Sequence, residues 1–254
     1  MKFKQVETVV KGVPFISDDN AKKLYDFIIK NKCKNILELG IAHGTASCFI
    51  AAAIDELGEG MLTCVDLIDV KDDFKPSIEE QLLKLNLNKY VEIYRMKSGY
   101  NWFLHDDISE CSKNNNKICI PKYDLIIIDG PKNWTIDSSS FFLADKLLKE
   151  NGWIIWDDYK WTYKNVDSKR EMTDGISHRS LSYDELKIPH IQEIFNLLVM
   201  QHPNYGNFII QKEGDWAWAQ KNKQDIKSIK YTTSATASSM LFDVLQRIMK
   251  RLKK

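Results

Sequence analysis

The chain has 254 residues, 44% of them hydrophobic, which is enough for one α/β domain with an appendage but short for two full-sized domains. Its 36 Lys and Arg residues nearly balance 35 Asp and Glu residues, and the net charge of +1 provides no overall attraction to nucleic acid or anionic lipid. The five cysteines show no C-x-x-C spacing, and neither a signal-peptide pattern nor an apolar stretch of about 18 residues is present. We therefore expect a cytoplasmic protein that is neither secreted nor membrane-spanning.

Short apolar runs alternate with segments of helical periodicity along the first two thirds of the chain. This alternation is typical of β-α-β units and a parallel sheet. The clearest strand predictions are residues 35–39, 61–66, 90–94, 123–129 and 152–157. Helices are predicted at residues 45–57, 77–87 and 137–149, each in a position to cross over between two of these strands.

The last third of the chain is predicted to contain an antiparallel hairpin and an extension. Residues 195–201 and 207–211 are predicted as its two strands, with H-P-N-Y-G in the turn. The pattern changes at residue 214, so we predict a domain of residues 1–213 and an extension of residues 214–254. The closing segment MLFDVLQRIMKRLKK predicts a basic amphipathic helix. Such a helix could pack on the domain, contact a second copy in a homodimer or rest on an anionic membrane surface, and the sequence leaves these alternatives open.

A glycine-containing turn, ELGIAHGTAS at residues 38–47, connects the first predicted strand to the first helix. Gly40, Ala42 and Gly44 place small residues at alternate positions, which lets a ligand approach the backbone. The helix that starts at Thr45 offers free N–H groups to an anionic group such as a carboxylate. Asp66 ends the second strand about 20 residues later, where a carboxylate can accept hydrogen bonds from ribose hydroxyls. The two features predict an adenosine-type ligand, either a nicotinamide dinucleotide or S-adenosylmethionine.

The turn resembles motif I of the class I S-adenosylmethionine-dependent methyltransferases, E/D-x-G-x-G-x-G, and the G-x-G-x-x-G of Rossmann dehydrogenases is absent. It matches at Glu38, Gly40 and Gly44 and departs at Ala42. The resemblance implies a Rossmann-like α/β fold with a mostly parallel seven-stranded sheet, strand order 3-2-1-4-5-7-6, and helices on both faces. It also implies a cofactor site formed by Glu38, Gly40, Ala42, Gly44 and Thr45 near the methionine part, Asp66 near the ribose, Ser98 near the adenine, and Asp129.

Acidic residues follow the next two strands. Asp129 ends the fourth strand, three residues before Lys132, and Asp157 and Asp158 end the fifth. Neighbouring strands lie about 4.8 Å apart, so these carboxylates can share one small cation. Oxygen donors favour Mg²⁺, Mn²⁺ or Ca²⁺ over zinc, and clustered carboxylates need a counter-charge. The alternative is that these aspartates are ordinary turn and loop acids.

Residues 36–159 resemble the catechol O-methyltransferase branch, which includes the caffeoyl-coenzyme A enzymes. The resemblance implies that Asp129, Asp157 and Asp158 bind the metal, with Asp158 in the position of an Asn. It also implies that Lys132 is the general base, for which a depressed pKa is expected, and that Asp129 takes part in catalysis. Gly130 departs from the bulkier residue of that branch. Because no later acidic residue corresponds to the one that contacts the second catechol oxygen, bidentate catechol chelation is not expected.

These patterns together predict a divalent-metal-assisted S-adenosylmethionine-dependent O-methyltransferase acting on a small hydroxylated molecule. A sugar hydroxyl is the preferred acceptor by analogy, and a phenol is the second choice. Residues 157–180 are predicted to form a substrate loop in which Trp161 and Tyr163 stack on a ring and Lys160, Lys164, Lys169, Arg170 and Arg179 hold an anionic group, with His178 as an alternative base. A nicotinamide-dependent oxidoreductase and a non-catalytic nucleotide-binding module remain alternatives. Nucleic acid is not expected as a partner.

Overall fold

The computed structural model of the chain describes residues 2–112, 118–165 and 181–224, together with residue 245. These residues form a seven-stranded sheet with helices on both faces. The strands are β1 (Asn35–Leu39), β2 (Met61–Leu67), β3 (Val91–Met96), β4 (Tyr123–Ile128), β5 (Leu148–Trp156), β6 (Tyr205–Ile210) and β7 (Ala217–Lys221). The helices are α1 (Lys2–Val9), α2 (Asp18–Asn31), α3 (Thr45–Leu57), α4 (Val70–Asp73), α5 (Ile78–Leu85), α6 (Tyr100–Cys111), α7 (Trp134–Leu147) and α8 (His190–Ile194).

The strand order in the sheet is β3-β2-β1-β4-β5-β7-β6. Strands β1 to β5 run parallel to one another, and β7 runs antiparallel to both β5 and β6. This is the order that the resemblance implies, and the prediction is confirmed. In parallel sheets of this type the ligand site lies at the carboxyl ends of the strands, where the strand order reverses. Here that place is between β1 and β4.

Two apolar layers cover the sheet, one on each face. Helices α1, α2, α3 and α5 pack against one face, where Ile36 of β1 and Leu62 of β2 are fully buried. Helices α6, α7 and α8 pack against the other face, where Leu37 and Leu39 of β1 are fully buried. Alternate residues of a strand point to opposite faces, so a central strand covered on both sides is apolar along its whole length.

Side-chain caps set the starts of several helices. Ser77 and Glu80 form a reciprocal capping box at the start of α5, with N···O distances of 3.0 and 3.3 Å. Asn133 caps α7 by accepting from the N–H of Thr135 at 2.8 Å, so this helix starts three residues before its predicted position. The predicted helix α3 at residues 45–57 has the bounds found in the structure.

The predicted strand at residues 195–201 is wrong. Helix α8 continues into a π-helical turn, Phe195–Val199, in which Phe195 and Val199 are buried while Leu197 is exposed. A short apolar run cannot be assigned to strand or buried helix by periodicity alone, and here burial of residues four apart selects the helix. The antiparallel pair is instead formed by β6 and β7.

The last strand of the sheet lies beyond residue 213, where the sequence predicts the domain to end. Its residues Ala217, Trp218 and Ala219 are buried because β7 is an inner strand, paired to β5 on one side and β6 on the other. The sheet therefore extends at least to Lys221.

Several predictions concern residues outside the described part of the chain. These are the basic amphipathic helix near the end of the extension and, in the predicted substrate loop, Lys169, Arg170, His178 and Arg179. Among the described residues, no helix has the length and apolar character needed to cross a membrane.

Candidate active site

The turn between β1 and α3 packs closely against two neighbouring elements. Gly40 and Gly44 both have positive φ, +95° and +76°. A Cβ on Gly40 would lie 2.0 Å from the carbonyl oxygen of Asp129, and one on Gly44 would lie 2.4 Å from the Cβ of Ile78. Ala42 also has positive φ, +48°, which explains why motif I has glycine at this position. The two glycines thus let the turn lie directly against the end of β4 and the start of α5.

Asp66, at the carboxyl end of β2, holds this turn. One of its carboxylate oxygens accepts from the N–H groups of Ile41 and Ala42 at 2.7 and 3.0 Å, and the other accepts from the N–H of Leu67 at 2.7 Å. Each carboxylate oxygen has two acceptor sites, so these contacts leave capacity for a further donor. The structure therefore gives Asp66 a clear role in shaping the turn, and its contact with ribose stays a prediction.

Glu38 lies in the interior of the sheet rather than on the turn surface. It is 3% exposed and accepts hydrogen bonds from Ser47 of α3 and, at 3.2 Å, from the Sγ of Cys64 of β2. Burial raises the pKa of Glu38 to about 8. These contacts join β1 to α3 beneath the turn. Thr45 is also buried and donates to the carbonyl of Pro14 at 3.0 Å, whereas Ser98 is exposed in the loop after β3.

Three aspartates and one lysine meet at the carboxyl edge of β4 and β5. Carboxylate oxygens of Asp129, Asp157 and Asp158, one from each, lie within 4.8 Å of one another. The Nζ of Lys132 lies 2.7 Å from Asp129 Oδ1 and 3.2 Å from Asp158 Oδ2. The structure thus brings together the four residues that the sequence predicts at this edge. We call Asp129, Asp157 and Asp158 the acidic trio.

The charges of the acidic trio act strongly on one another. Burial, followed by the charges of Asp129 and Asp158, raises the pKa of Asp157 well above its usual value. Burial also raises the pKa of Asp129 despite the opposing effect of Lys132. Burial by itself would lower the pKa of Lys132, but the three surrounding carboxylates outweigh it and raise this pKa. The predicted depression of the Lys132 pKa is therefore wrong for this arrangement, in which the lysine is held as an ammonium ion.

Two residues just before β7 contact the loop after β5, and the sequence did not predict a role for either. Trp216 is buried and its indole Nε1–H donates to Asp157 Oδ1 at 2.6 Å. The carboxylate of Asp215 accepts from the backbone N–H of Lys160 at 3.0 and 3.1 Å. The available signal is the segment DWAWAQ, which the change of pattern at residue 214 places in the predicted extension and therefore apart from the predicted site.

The loop that carries Lys132 is held by buried side chains. The hydroxyl of Tyr163 donates to the carbonyl of Pro131 at 2.6 Å, and the N–H of Trp134 donates to His190 Nδ1 at 3.0 Å. At the start of the loop, a Cβ on Gly130 would lie 2.1 Å from the hydroxyl oxygen of Tyr100. Tyr100 occupies the space that a bulkier residue would need, which explains why this chain has glycine there.

The sheet order and the glycine turn are those expected of a class I methyltransferase. Residues 37–159, which span β1 to the loop after β5, match a protein-family model described as a methyltransferase domain. Residues 37–159 form a methyltransferase domain with the class I fold. The predicted identity as an S-adenosylmethionine-dependent methyltransferase is confirmed. A search among curated proteins finds no sequence that matches this methyltransferase.

Solved structures share the fold of this methyltransferase at low sequence identity. An O-methyltransferase from Bacillus cereus in complex with SAH is 17% identical with a TM-score of 0.55, over 87% of this chain and 90% of that one. The O-methyltransferase TomG from Streptomyces achromogenes, involved in tomaymycin synthesis and solved with SAM, is 14% identical with a TM-score of 0.57, over 87% and 90%. The SAH-bound methyltransferase PaMTH1 from Podospora anserina is 14% identical with a TM-score of 0.58, over 88% of each chain.

In the methyltransferase, the glycine turn and the acidic trio are parts of one continuous edge. The N–H of Asp129 donates to the carbonyl of Leu39 at 2.8 Å, and the N–H of Asp157 donates to the carbonyl of Ile128 at 3.1 Å. These bonds continue the pairing of β1 with β4 and of β4 with β5 beyond the strand ends. A ligand on the glycine turn would therefore lie next to a molecule held at the acidic trio.

Proposed function

We propose that this methyltransferase transfers a methyl group from S-adenosylmethionine to a hydroxyl of a small molecule, with a divalent cation, Mg²⁺ before Mn²⁺ or Ca²⁺, held by the acidic trio. The observation that carries this proposal is the meeting of Asp129, Asp157, Asp158 and Lys132 on the edge that also bears the glycine turn. Similar structures solved with SAM or SAH and described as O-methyltransferases support the cofactor and the oxygen acceptor.

The acidic trio fits a divalent cation in its chemistry. Its three oxygen donors are of the hard type that Mg²⁺ prefers. Burial and mutual repulsion raise the pKa values of Asp157 and Asp129, so one positive charge from Lys132 does not fully compensate the trio. When bound, a cation there would act as a Lewis acid that lowers the pKa of the acceptor hydroxyl.

Lys132 is the residue that we expect to handle the proton. Its ammonium group is 2.7 Å from Asp129 and 3.2 Å from Asp158, so it is directed at the place where an acceptor oxygen would approach the trio. As an ammonium ion it can orient that oxygen as a hydrogen-bond donor. It can accept the proton of the hydroxyl only as a neutral amine, after giving up its own proton to solvent, and this requires that the carboxylate charge around it is neutralised. The oxygen then attacks the sulfonium methyl group in line, the bond between that methyl group and sulfur breaks, and SAH is the leaving group. Much of the rate depends on orientation.

The residues around the trio are compatible with a ring-shaped acceptor. The N–H of Trp161 donates to the carbonyl of Asp158 at 3.0 Å, and Trp134, 39% exposed, lies two residues beyond Lys132. Their flat side chains could stack on a sugar or on a phenol. The preference for a sugar hydroxyl rests on analogy.

The remaining partner predictions rest on the sequence. The cysteine pattern, without C-x-x-C spacing, supports a cytoplasmic protein, and the balanced charge gives no overall attraction to nucleic acid. Contact with a membrane or with a second copy through the C-terminal helix depends on residues outside the described part of the chain.

The proposal is tested by an acceptor screen that measures SAH release with Mg²⁺ or with a chelator. We expect turnover on sugar or phenolic hydroxyls that chelation abolishes and added Mg²⁺ restores.

Asp157→Ala should lose turnover at least 100-fold while calorimetry shows S-adenosylmethionine affinity within about twofold of wild type. Asp106→Asn, at an exposed acid of α6, is the control and should behave as wild type. Full activity of Asp157→Ala, or in the presence of chelator, would refute the metal role.

A further inference from the structure

The Lys132 loop, residues 130–134, has a backbone conformation that needs support from its surroundings. Lys132 has a φ of +59°, in the left-handed backbone region that residues other than glycine rarely adopt. Such a conformation persists only where neighbouring contacts determine it, and it is often found at functional sites. The contacts that determine it here can be named.

Two buried side chains bond to the backbone on either side of Lys132. The Tyr163 hydroxyl donates to the carbonyl of Pro131 at 2.6 Å, and His190 Nδ1 accepts from the N–H of Trp134 at 3.0 Å. Tyr163 is 3% exposed and His190 is 4% exposed. Their ring centroids are 5.3 Å apart at an interplanar angle of 61°, so each ring also fixes the position of the other.

The hydrogen bonds of His190 define its tautomer. Because Nδ1 accepts from a backbone N–H, the proton of the neutral ring is on Nε2, which donates to the carbonyl of Glu185 at 2.9 Å. Both ring nitrogens are thus engaged with backbone groups. His190 therefore has no nitrogen free to act as a catalytic base, and its chemistry is suited to holding the loop.

Helix α7 holds the loop from its other side. The N–H of Asn133 donates to Asp137 Oδ2 at 2.7 Å, and the Tyr100 hydroxyl donates to the same carboxylate. Asp137 is fully buried. The backbone is therefore bonded at residues 131, 133 and 134, which leaves Lys132 directed at the acidic trio.

We propose that Tyr163 and His190 are positioning residues that keep Lys132 at the acceptor site. This inference rests on the proposed function, because it is the position of Lys132 that the two residues would serve. Neither residue touches the cofactor turn through a described contact, so their loss should lower kcat while leaving the KM for S-adenosylmethionine nearly unchanged. Displacing a reacting group by about 1 Å can reduce a rate by 100-fold, so small movements of the loop matter.

The kinetic test uses conservative variants. Tyr163→Phe removes only the hydroxyl, and His190→Leu removes the acceptor, whereas the amide oxygen of His190→Asn can replace Nδ1 as the acceptor. We expect a fall in kcat of about tenfold or more in the first two variants, with KM for S-adenosylmethionine within about twofold, and substantial recovery in His190→Asn. Tyr183→Phe, at a tyrosine that is 70% exposed, is the matched control and should retain full activity.

A second measurement does not depend on activity. Amide hydrogen exchange at Trp134 should be at least tenfold faster in His190→Leu than in the wild type or in His190→Asn, and nitrogen NMR should show the Nε2–H tautomer of His190. Unchanged exchange at Trp134 in His190→Leu, or an Nδ1–H tautomer, would overturn the inference. Normal methyl transfer by Lys132→Met would instead overturn the role proposed for Lys132, so the two failures can be told apart.

Discussion

The behaviour of Asp157 illustrates what single residues contribute to this site. Its carboxylate is half-buried beside two other acids. The indole N–H of Trp216 and the backbone N–H of Asp158 donate to its Oδ1 at 2.6 and 2.8 Å. Hydrogen bonds to a charged form favour that form. The hydrogen bond from Trp216 therefore favours the charged form of Asp157, in opposition to burial and like charge, which raise its pKa.

Replacement of Trp216 tests this contribution with a matched control in the same strand region. Trp216→Phe should reduce methyl transfer at subsaturating Mg²⁺ by about tenfold, since a hydrogen bond to a charged group contributes about 1.5–3 kcal/mol. The indole nitrogen of Trp218 is buried without a hydrogen-bond partner in the described structure, so Trp218→Phe removes a similar ring but no such bond. Equal Mg²⁺ dependence of SAH release in the two variants would contradict the role of Trp216.

Helix α3 shows how one element depends on glycine for two different reasons. Gly44 precedes its first residue with a φ of +76°, and Gly58 follows its last residue with a φ of +80°. A Cβ at Gly58 would meet nothing within 4 Å, whereas one at Gly44 would meet Ile78 of α5. Both positions require a left-handed backbone, but only Gly44 also permits close packing of the cofactor turn on α5.

The two glycines make a matched pair for mutation. Gly58→Ala should lower the free energy of unfolding by about 1–2 kcal/mol, the cost of a left-handed conformation for a residue with a Cβ. Gly44→Ala should lose about 1–3 kcal/mol more, because the added methyl group overlaps Ile78. It should also weaken S-adenosylmethionine binding. Urea unfolding and calorimetry provide the measurements, and equal losses of stability in the two variants would show that the contact with Ile78 does not matter.

At the scale of the whole molecule, β7 places a late segment of the chain inside the sheet. It lies between β5 and β6, and Lys221 at its end is 1% exposed, with its Nζ 2.9 Å from Asp145 Oδ1 of α7. Trp216 just before it contacts Asp157 of the acidic trio. The segment from Trp216 to Lys221 therefore contributes both to the sheet and to the candidate site.

Truncation tests this dependence. A chain that ends after residue 213 lacks β7, so β6 loses its partner and the backbone edge of β5 is left unpaired. We expect it to show no cooperative urea unfolding and no S-adenosylmethionine binding. A chain that ends after residue 224 keeps all seven strands that the structure describes and should unfold cooperatively. Cooperative unfolding of the shorter chain would disprove the structural role of β7.

Local patterns in the sequence determined most of the parallel strands and the main residues of the candidate site. Five parallel strands, α3 and the glycine turn follow from hydrophobic periodicity and from Gly40 and Gly44, because these depend on neighbours along the chain. The acidic trio was also predictable, since the carboxyl ends of adjacent parallel strands meet at one edge.

The tertiary structure alone decided the features that depend on residues distant in sequence. Residues 195–199 are helical because of the residues that they pack against. β7 becomes an inner strand because it pairs with β5, which precedes it in the chain by the whole of α8 and β6. The charge state of Lys132 is likewise set by three carboxylates whose combined field outweighs burial, and no local pattern reports that balance. Trp216, Tyr163 and His190 act on the site through contacts across 32 to 59 residues, which only folding brings together.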